Sequence, residues 1–259
     1  MPERPVVGKL NVRSWGEPMA EGRFVDSAHG FQAYPSGARS QRVWEPGEHA
    51  VIGVSAGNSY FTQERLAGLL RWASHYFSAV DVIYTDVHID TMLVALGDEA
   101  GHAGKHATSQ IRDVRRRVRR AVERLGAASD KVRTRPMSSF FELAEYRAVR
   151  SRVGEAVGSS ARLSAACEEM VRHFLDGRQV PGEREPHVMG AGLKYLLAEL
   201  PFFVDSPGIL GVGSSAVCYH VSTPIVEYFK EPDHDVLSAA PNQGYLVVRP
   251  SAWAPGEAG

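Results

Sequence analysis

"HAVIGVSAGNSYF", His49 to Phe61, decides how the rest of the chain is read. Its first half is a short apolar run rich in β-branched residues, the pattern of a strand buried on both faces. A Ser-Ala-Gly-Asn-Ser turn follows, and then "YFTQERLAGLLRWASHYFS" carries helical spacing. A strand that turns directly into a helix puts its turn at the carboxyl edge of an open α/β sheet, where such folds bind ligands. Two serines stand there. Ser55 is a candidate nucleophile, with the free N–H groups of the next helix favouring a developing oxyanion. The plainer alternative is that Ser59 caps that helix and Ser55 fills the turn. "GVSAG" also fits the Gly-x-Ser-x-Gly elbow of a serine hydrolase. That fold needs several strands before the elbow, whereas about 48 residues precede this strand. It also needs a His–Asp pair that the sequence does not assign.

The alternation continues outward. "AVDVIYTD" reads as a second buried strand, residues 104–126 as a long helix, and "KVRTRPM" as a third strand. Helices are predicted near 138–153, 158–177 and 187–200, then a strand over 216–220, a short helix near 225–230 and a last strand, "GYLVVRP". Strands alternating with helices predict an α/β fold: a single Rossmann-like domain with a mainly parallel sheet and helices on both faces. The boundaries read as a flexible N-terminal extension over 1–40, a domain over 41–250 and a C-terminal tail over 251–259.

A chain of 259 residues with 44% hydrophobic and 23% charged residues can bury one substantial core. It contains no apolar run of membrane-spanning length and its start lacks a signal-peptide layout, so a cytoplasmic protein without membrane contact is the default expectation. Cys167 and Cys218 form no Cys-x-x-Cys pair, so neither a disulfide scaffold nor a zinc site is predicted. Asp86, His88 and Asp90 alternate as metal ligands can. No second His/carboxylate pair accompanies them, and no metal is assigned.

The net charge of −1 hides a local bias. Residues 105–124 hold eight basic residues against Asp113 and Glu123, a net +6 that leaves −7 on the remainder. Ile111, Val114, Val118, Val122 and Leu125 recur at helical steps and predict a core-facing stripe, with Lys105, Arg112, Arg115, Arg116, Arg119 and Arg120 on the other side. Such one-signed crowding repels itself, so a polyanion such as an RNA or DNA backbone is the better explanation.

Two more stretches carry chemistry. In "YLLAELP", Tyr195 and Glu199 share one helix face, and Pro201 is predicted to stop the helix. A phenol and a carboxylate there can bind an amine and pass protons, or be a core tyrosine beside a solvated glutamate. "CYH" ends a buried strand at Tyr219 and His220, and a satisfied core tyrosine is the plain reading.

Taken in order, "HAVIGVS", the basic helix, "YLLAELP" and "SSAVCYH" resemble the cyclodipeptide synthases over roughly residues 45 to 250. The combination of Asn58, Tyr219 and His220 is similar to the subgroup named for Asn, Tyr and His. The resemblance implies a fold like the catalytic domain of class I tyrosyl- and tryptophanyl-tRNA synthetases, without ATP or any other cofactor. It implies two aminoacyl-tRNAs as substrates and a ping-pong route to a diketopiperazine through an aminoacyl-Ser55 and a dipeptidyl-enzyme. By position, Ser55 is the nucleophile and Gly53 a backbone oxyanion contact. Tyr195 and Glu199 hold the ammonium group, Tyr219 transfers protons at cyclisation, and Asn58, beside His220, positions the aminoacyl group. The Arg residues of the basic helix take the tRNA backbone. Val51, Gly53, Ile83, Met137, Phe202 and Val217 line the first aminoacyl pocket; its apolar lining implies Leu, Ile or Phe, with the bulk of Ile83 and Phe202 tilting away from Phe. A monomer fits this picture. The rival readings are the serine hydrolase and a non-catalytic tRNA-binding protein.

Overall fold

A computed structural model describes residues 30–175, 182–230 and 236–251. In chain order the strands and α-helices are β1 (Phe31–Pro35), α1 (Ala38–Trp44), β2 (His49–Val54), α2 (Gln63–Tyr76), β3 (Ala79–Tyr84), α3 (Ile89–Leu96), α4 (Ala100–Glu123), β4 (Val132–Pro136), α5 (Ala144–Ser159), α6 (Ala161–Leu175), α7 (Glu185–Leu210), β5 (Ser215–Tyr219), α8 (Pro224–Lys230) and β6 (Gln243–Pro250).

The strands form one six-stranded sheet in the order β1-β6-β5-β2-β3-β4. Every neighbour pair is parallel except β1 with β6. From β2 the chain winds outward through β3 and β4, then returns to β5 on the other flank of β2. The gap between the carboxyl ends of β2 and β5 is therefore the topological switch point, where helices diverge and leave a crevice. Side chains alternate across a strand, so each strand feeds two cores. Val51, Ile83, Val217 and Tyr245 face α5, α6, α7 and α8 in one core. Ile52, Val82, Cys218 and Leu246 point the opposite way, into a core shared with α2 and α4. The mainly parallel α/β reading of the sequence is what is observed.

The N-terminal boundary is corrected. Residues 31–40 belong to the folded body, not to an extension: Phe31–Pro35 pairs antiparallel with β6, and the Ser40 hydroxyl accepts from the Tyr245 amide at 3.0 Å. The five-residue strand is framed by Gly30 and Gly37, so it reads as loop until its partner, some 200 residues away, is known. Residues 1–29, and 252–259 of the predicted tail, lie outside the described residues.

The end assigned to the Tyr195 helix is corrected too. α7 runs through Pro201 and bends only at Asp205, whose φ of −154° and ψ of 62° are not helical. Proline inside a helix removes one N–H and crowds the carbonyl four residues back. Here Leu200, Phe202, Phe203 and Val204 are all buried, and that burial offsets the lost bond. Helix α4 begins earlier than predicted, at Ala100. Its buried stripe is Ala103, Ala107, Val114, Val118 and Ala121, while Ile111, Val122 and Leu125 are partly covered.

Candidate active site

Three strand ends and one helix meet at the switch point. Ser55 directly follows β2, and Thr85 directly follows β3. The Thr85 amide donates to the Val54 carbonyl at 3.0 Å, which continues the β2–β3 ladder and sets Ser55 beside Thr85. Tyr219 is the last residue of β5, on the same face as Val51 and Val217. Tyr195 and Glu199 come down onto this edge from α7. A side chain built at Gly53 would meet nothing within 4 Å, so the strand is open in front of Ser55.

The polar groups form one connected set. The Tyr195 hydroxyl donates to Thr85 Oγ1 at 2.9 Å, and Thr85 Oγ1 donates to Glu199 Oε1 at 3.4 Å. Ser55 and Glu199 both lie close enough to the Tyr195 hydroxyl to influence it, and Tyr219 lies against Glu199. Glu199 is 8% exposed, and its Oε2 is buried without a hydrogen-bond partner. Burial pushes its carboxyl up to about 7, against the lowering effect of the Tyr195, Thr85 and Tyr219 hydroxyls. Burial, reinforced by the Glu199 charge, raises Tyr195 and Tyr219 far above ordinary phenols, so both stay protonated. An empty carboxylate oxygen poised near neutrality is suited to an ammonium group. Thr85 was not found from the sequence: "YTD" after a strand looks like any polar strand end, and only packing shows what it joins.

Asn58 and His220 also sit at this edge. The Asn58 Oδ1 accepts from the Tyr60 amide at 2.8 Å, shaping the turn, and its carbonyl accepts from Arg117 at 3.1 Å. Gly57 holds φ +73°, and a Cβ there would stand 3.1 Å from Gln110 of α4, so the turn requires glycine. His220 stacks on Tyr60 with centroids 3.9 Å apart. Burial, with Arg249 and Arg65 nearby, lowers His220 to about 3 and keeps it neutral. Ser59 is exposed, and the cap of α2 is Thr62, whose hydroxyl accepts from the Arg65 amide. The capping alternative for Ser59 is thus set aside.

The residues assigned to the first pocket, Val51, Ile83, Met137, Phe202 and Val217, all fall in the α7-side core. Val51 pairs with Val217 and Gly53 with Ile83 across neighbouring strands. Phe140, in the turn that Met137 opens, packs edge-on to Phe202 at 4.9 Å.

A Ser–His–Asp constellation does exist, but elsewhere. His49 Nδ1 is 2.8 Å from Ser215 Oγ, and its Nε2 is 2.9 Å from Asp81 Oδ2. Asp81 also accepts from Arg133 and Arg135. Burial would raise the Asp81 carboxyl, but the His49 hydrogen bond and the Arg135 and Arg133 charges outweigh it and the net shift is downward. Ser215, His49 and Asp81 are at most 1% exposed. His49 opens the strand that Ser55 follows, about 20 Å away at 3.3 Å per residue. The constellation ties β2, β3, β4 and β5 together, and among the described residues no histidine is hydrogen-bonded to Ser55 as a hydrolase elbow would need.

Of the remaining polar groups singled out in the sequence, Asp86 caps the turn after β4 through the Ser138 amide and hydroxyl. Asp90 accepts from the Thr91 amide. The α4 basic face lies exposed beside this edge. Asp113 is taken by Arg116 and Arg117, and Glu123 by Arg119, so Arg112, Arg115 and Arg120 have no acidic partner among the described residues. Lys105 is exposed on the same helix. Arg117 is different: it is half-buried and donates to the carbonyls of Asn58 and Phe61, tying α4 to the Ser55 loop. Among the described residues, no helix is long and apolar enough to cross a membrane.

Comparison with known proteins adds a family. The cyclodipeptide synthase profile matches residues 31–250. The chain is similar to a cyclo(L-leucyl-L-phenylalanyl) synthase of Streptomyces noursei, 43% identical over 229 residues that make up 87% of this chain and 95% of that one. It is similar to a cyclo(L-tyrosyl-L-tyrosyl) synthase of Mycobacterium tuberculosis, 38% identical over 85% of this chain and 76% of that one. Among solved structures, a cyclo(L-leucyl-L-phenylalanyl) synthase superposes with a TM-score of 0.79 over 86% of this chain and 99% of that one, at 43% identity. A Mycobacterium tuberculosis protein superposes at 0.80 over 90% of this chain and 99% of that one, at 35% identity; its structure demonstrates that cyclodipeptide synthetases are related to type I tRNA synthetases.

Proposed function

The chain belongs to the cyclodipeptide synthase family, and from that premise we propose that it joins two aminoacyl groups, delivered as aminoacyl-tRNAs, into a hydrophobic diketopiperazine without ATP. The ester of an aminoacyl-tRNA is already activated, so the chemistry needs a nucleophile, an oxyanion contact and a base. Ser55 attacks the first ester with the backbone near Gly53 as oxyanion contact, the tRNA leaves, and an aminoacyl-Ser55 remains. Glu199 Oε2, the vacant acceptor, takes the ammonium together with Tyr195. An α-ammonium has a pKa of about 8, close enough to a carboxyl raised to about 7 for the proton to pass and free the amine. For the dipeptide to stay on Ser55, that amine must attack the ester of the second aminoacyl-tRNA. The new terminal amine then attacks the Ser55 ester, with Tyr219 in the proton transfer, and the ring leaves. Asn58, with His220 stacked nearby, positions the aminoacyl group, and Lys105, Arg112, Arg115, Arg116, Arg119 and Arg120 hold the tRNA backbone.

The pocket supports Leu, Ile or Phe as the first residue, because its five lining side chains are apolar and a polar group there would go unpaired. The relatives named for leucine and phenylalanine products agree with that class. The observation that carries the reading is the buried, half-vacant Glu199 carboxylate, joined through Thr85 to Tyr195 at the strand edge that Ser55 follows, with open space before Gly53. The test is expression of the chain and of Ser55→Ala in a bacterial host, followed by mass spectrometry of both media. Hydrophobic cyclic dipeptides should accumulate with the parent and vanish with the variant; identical media would sink the reading.

A further inference from the structure

Helix α4 meets the loop that carries Ser55 with a row of polar side chains. His106, Gln110, Asp113 and Arg117 follow one another at steps of four, three and four residues, so they share one edge of the helix. The row forms two arms, each anchored on a carboxylate. In one, Asp113 accepts from Arg117, and Arg117 donates to the carbonyls of Asn58 and Phe61. In the other, Asp98, between α3 and α4, has its Oδ2 2.9 Å from His106 Nδ1, and His106 Nε2 is 3.1 Å from Gln110 Nε2. Gln110 ends against Gly57: from the place a Cβ would occupy on that glycine, Gln110 Oε1 is 3.1 Å away and its Cδ 3.6 Å. Ala56, between Ser55 and Gly57, packs on the apolar cluster of Ile89, Leu93, Ala103 and Ala107 that α3 and α4 share. The loop is thus backed by α4 at Ala56, Gly57, Asn58 and Phe61.

The second arm has a direction. An ionised carboxylate only accepts, so the bond to Asp98 places a proton on His106 Nδ1. The Nε2 of a neutral ring can then only accept, and it faces the Gln110 NH2, which can only donate. That bond turns the Gln110 carbonyl oxygen towards Gly57, as observed. With the amide reversed, two acceptors would meet at His106, and the NH2 hydrogens would press on the turn. Gly57 holds φ +73°, so the turn is tight and its position depends on what it packs against.

We propose that Gln110 is a positioning residue for aminoacyl transfer: His106, held by Asp98, fixes its amide, and the amide holds the Gly57 turn so that Ser55 stands where it can attack. Gln110 acts through Gly57 and not on the reacting atoms. Helix α4 then has two tasks on two faces. Its exposed arginines meet solvent, and its inner edge sets the loop through Gln110 and Arg117.

This role rests on Ser55 being the nucleophile, and one experiment separates the two. Purified parent, Gln110→Met, Asp98→Asn, the double variant and Ser55→Ala are mixed with leucyl-tRNA and with phenylalanyl-tRNA. Protein-bound aminoacyl ester is followed in single turnover, and tRNA affinity is measured alongside. Methionine keeps the length of glutamine and loses both polar ends. Gln110→Met should slow acylation about ten- to a hundredfold, the loss expected when a reacting group is misplaced by about 1 Å, with tRNA affinity unchanged. Asp98→Asn keeps the shape of the aspartate, but its NH2 lets His106 Nδ1 accept, so the ring no longer fixes the amide. It should slow acylation by less than Gln110→Met. The double variant should be no slower than Gln110→Met alone, because Asp98 acts only through Gln110. Parent-like acylation in Gln110→Met overturns the proposal while the Ser55 mechanism stands. So does a loss of tRNA affinity large enough to account for the slower acylation, since Gln110 would then be a tRNA contact. An Asp98→Asn at the parent rate, or a double variant slowed by the product of the two single effects, overturns it as well, because the direction of the amide would then not matter. A parent that forms no adduct, or an adduct that survives Ser55→Ala, overturns both.

Discussion

At Glu199 the requirements of stability and of reaction oppose each other. Its folded pKa of about 7 lies above the 4.5 of a free glutamate, so the neutral carboxyl favours the fold at low pH. That contribution is complete below about 4.5 and is lost as pH rises through 7, where an ionised group must be kept in a buried site. Glutamine has no proton to lose. Glu199→Gln should thus gain on the parent by up to about 3 kcal/mol between pH 5 and pH 9, at about 1.4 kcal/mol for each tenfold difference in proton affinity between folded and unfolded chain. It should be inactive throughout, since it can neither hold nor deprotonate an ammonium. Urea unfolding at both pH values measures this, and a stability difference that does not change with pH would contradict it. A residue that weakens the fold under its working conditions marks a site shaped for chemistry.

Helix α4 divides its arginines by face. Arg117 points inward and satisfies two carbonyls of the Ser55 loop, whereas Arg115 and Arg120 point to solvent. Arg117→Ala should therefore destabilise the protein by about 1.5–3 kcal/mol, the range for charge-assisted hydrogen bonds, and reduce kcat by loosening the loop. Arg115→Ala with Arg120→Ala should leave stability within about 0.5 kcal/mol. Their effect should fall on KM for aminoacyl-tRNA, with a shallower salt dependence of binding. Thermal melts beside steady-state kinetics at two salt concentrations separate these outcomes; equal effects on kcat and KM from both variants would refute the division. The residue types in "RRRVRR" do not distinguish Arg117 from its neighbours. The helical period does, once Val114 and Val118 are known to be the buried pair.

Over the whole molecule, the sheet closes only through contacts distant in sequence. Strand β1 covers the edge of β6, and α1 bridges the two: Arg39 donates to the carbonyls of Phe229 and Ala239, and Ser40 accepts from Tyr245. A chain beginning at residue 41, the boundary suggested by composition, loses all of this and leaves an eight-residue strand with an open edge. It should melt about 10 °C or more below the full chain and aggregate. Coincident melts of the two chains would show that β1 and α1 contribute nothing.

The buried strands, the amphipathic α4 and the Tyr195–Glu199 face were legible in the sequence because each is encoded within a few residues, by period or by signature. So was the loop that carries Ser55, since a strand, a small turn and a helix follow one another without interruption. Strand β1, the passage of α7 through Pro201, the burial that raises Glu199 and the place of Thr85 were not, because each depends on partners far along the chain. Sequence alone determined which chemical groups the protein possesses and the α/β class that carries them. The tertiary structure decided which groups meet and how dry they are, because contact and desolvation are properties of a packed site and not of a residue.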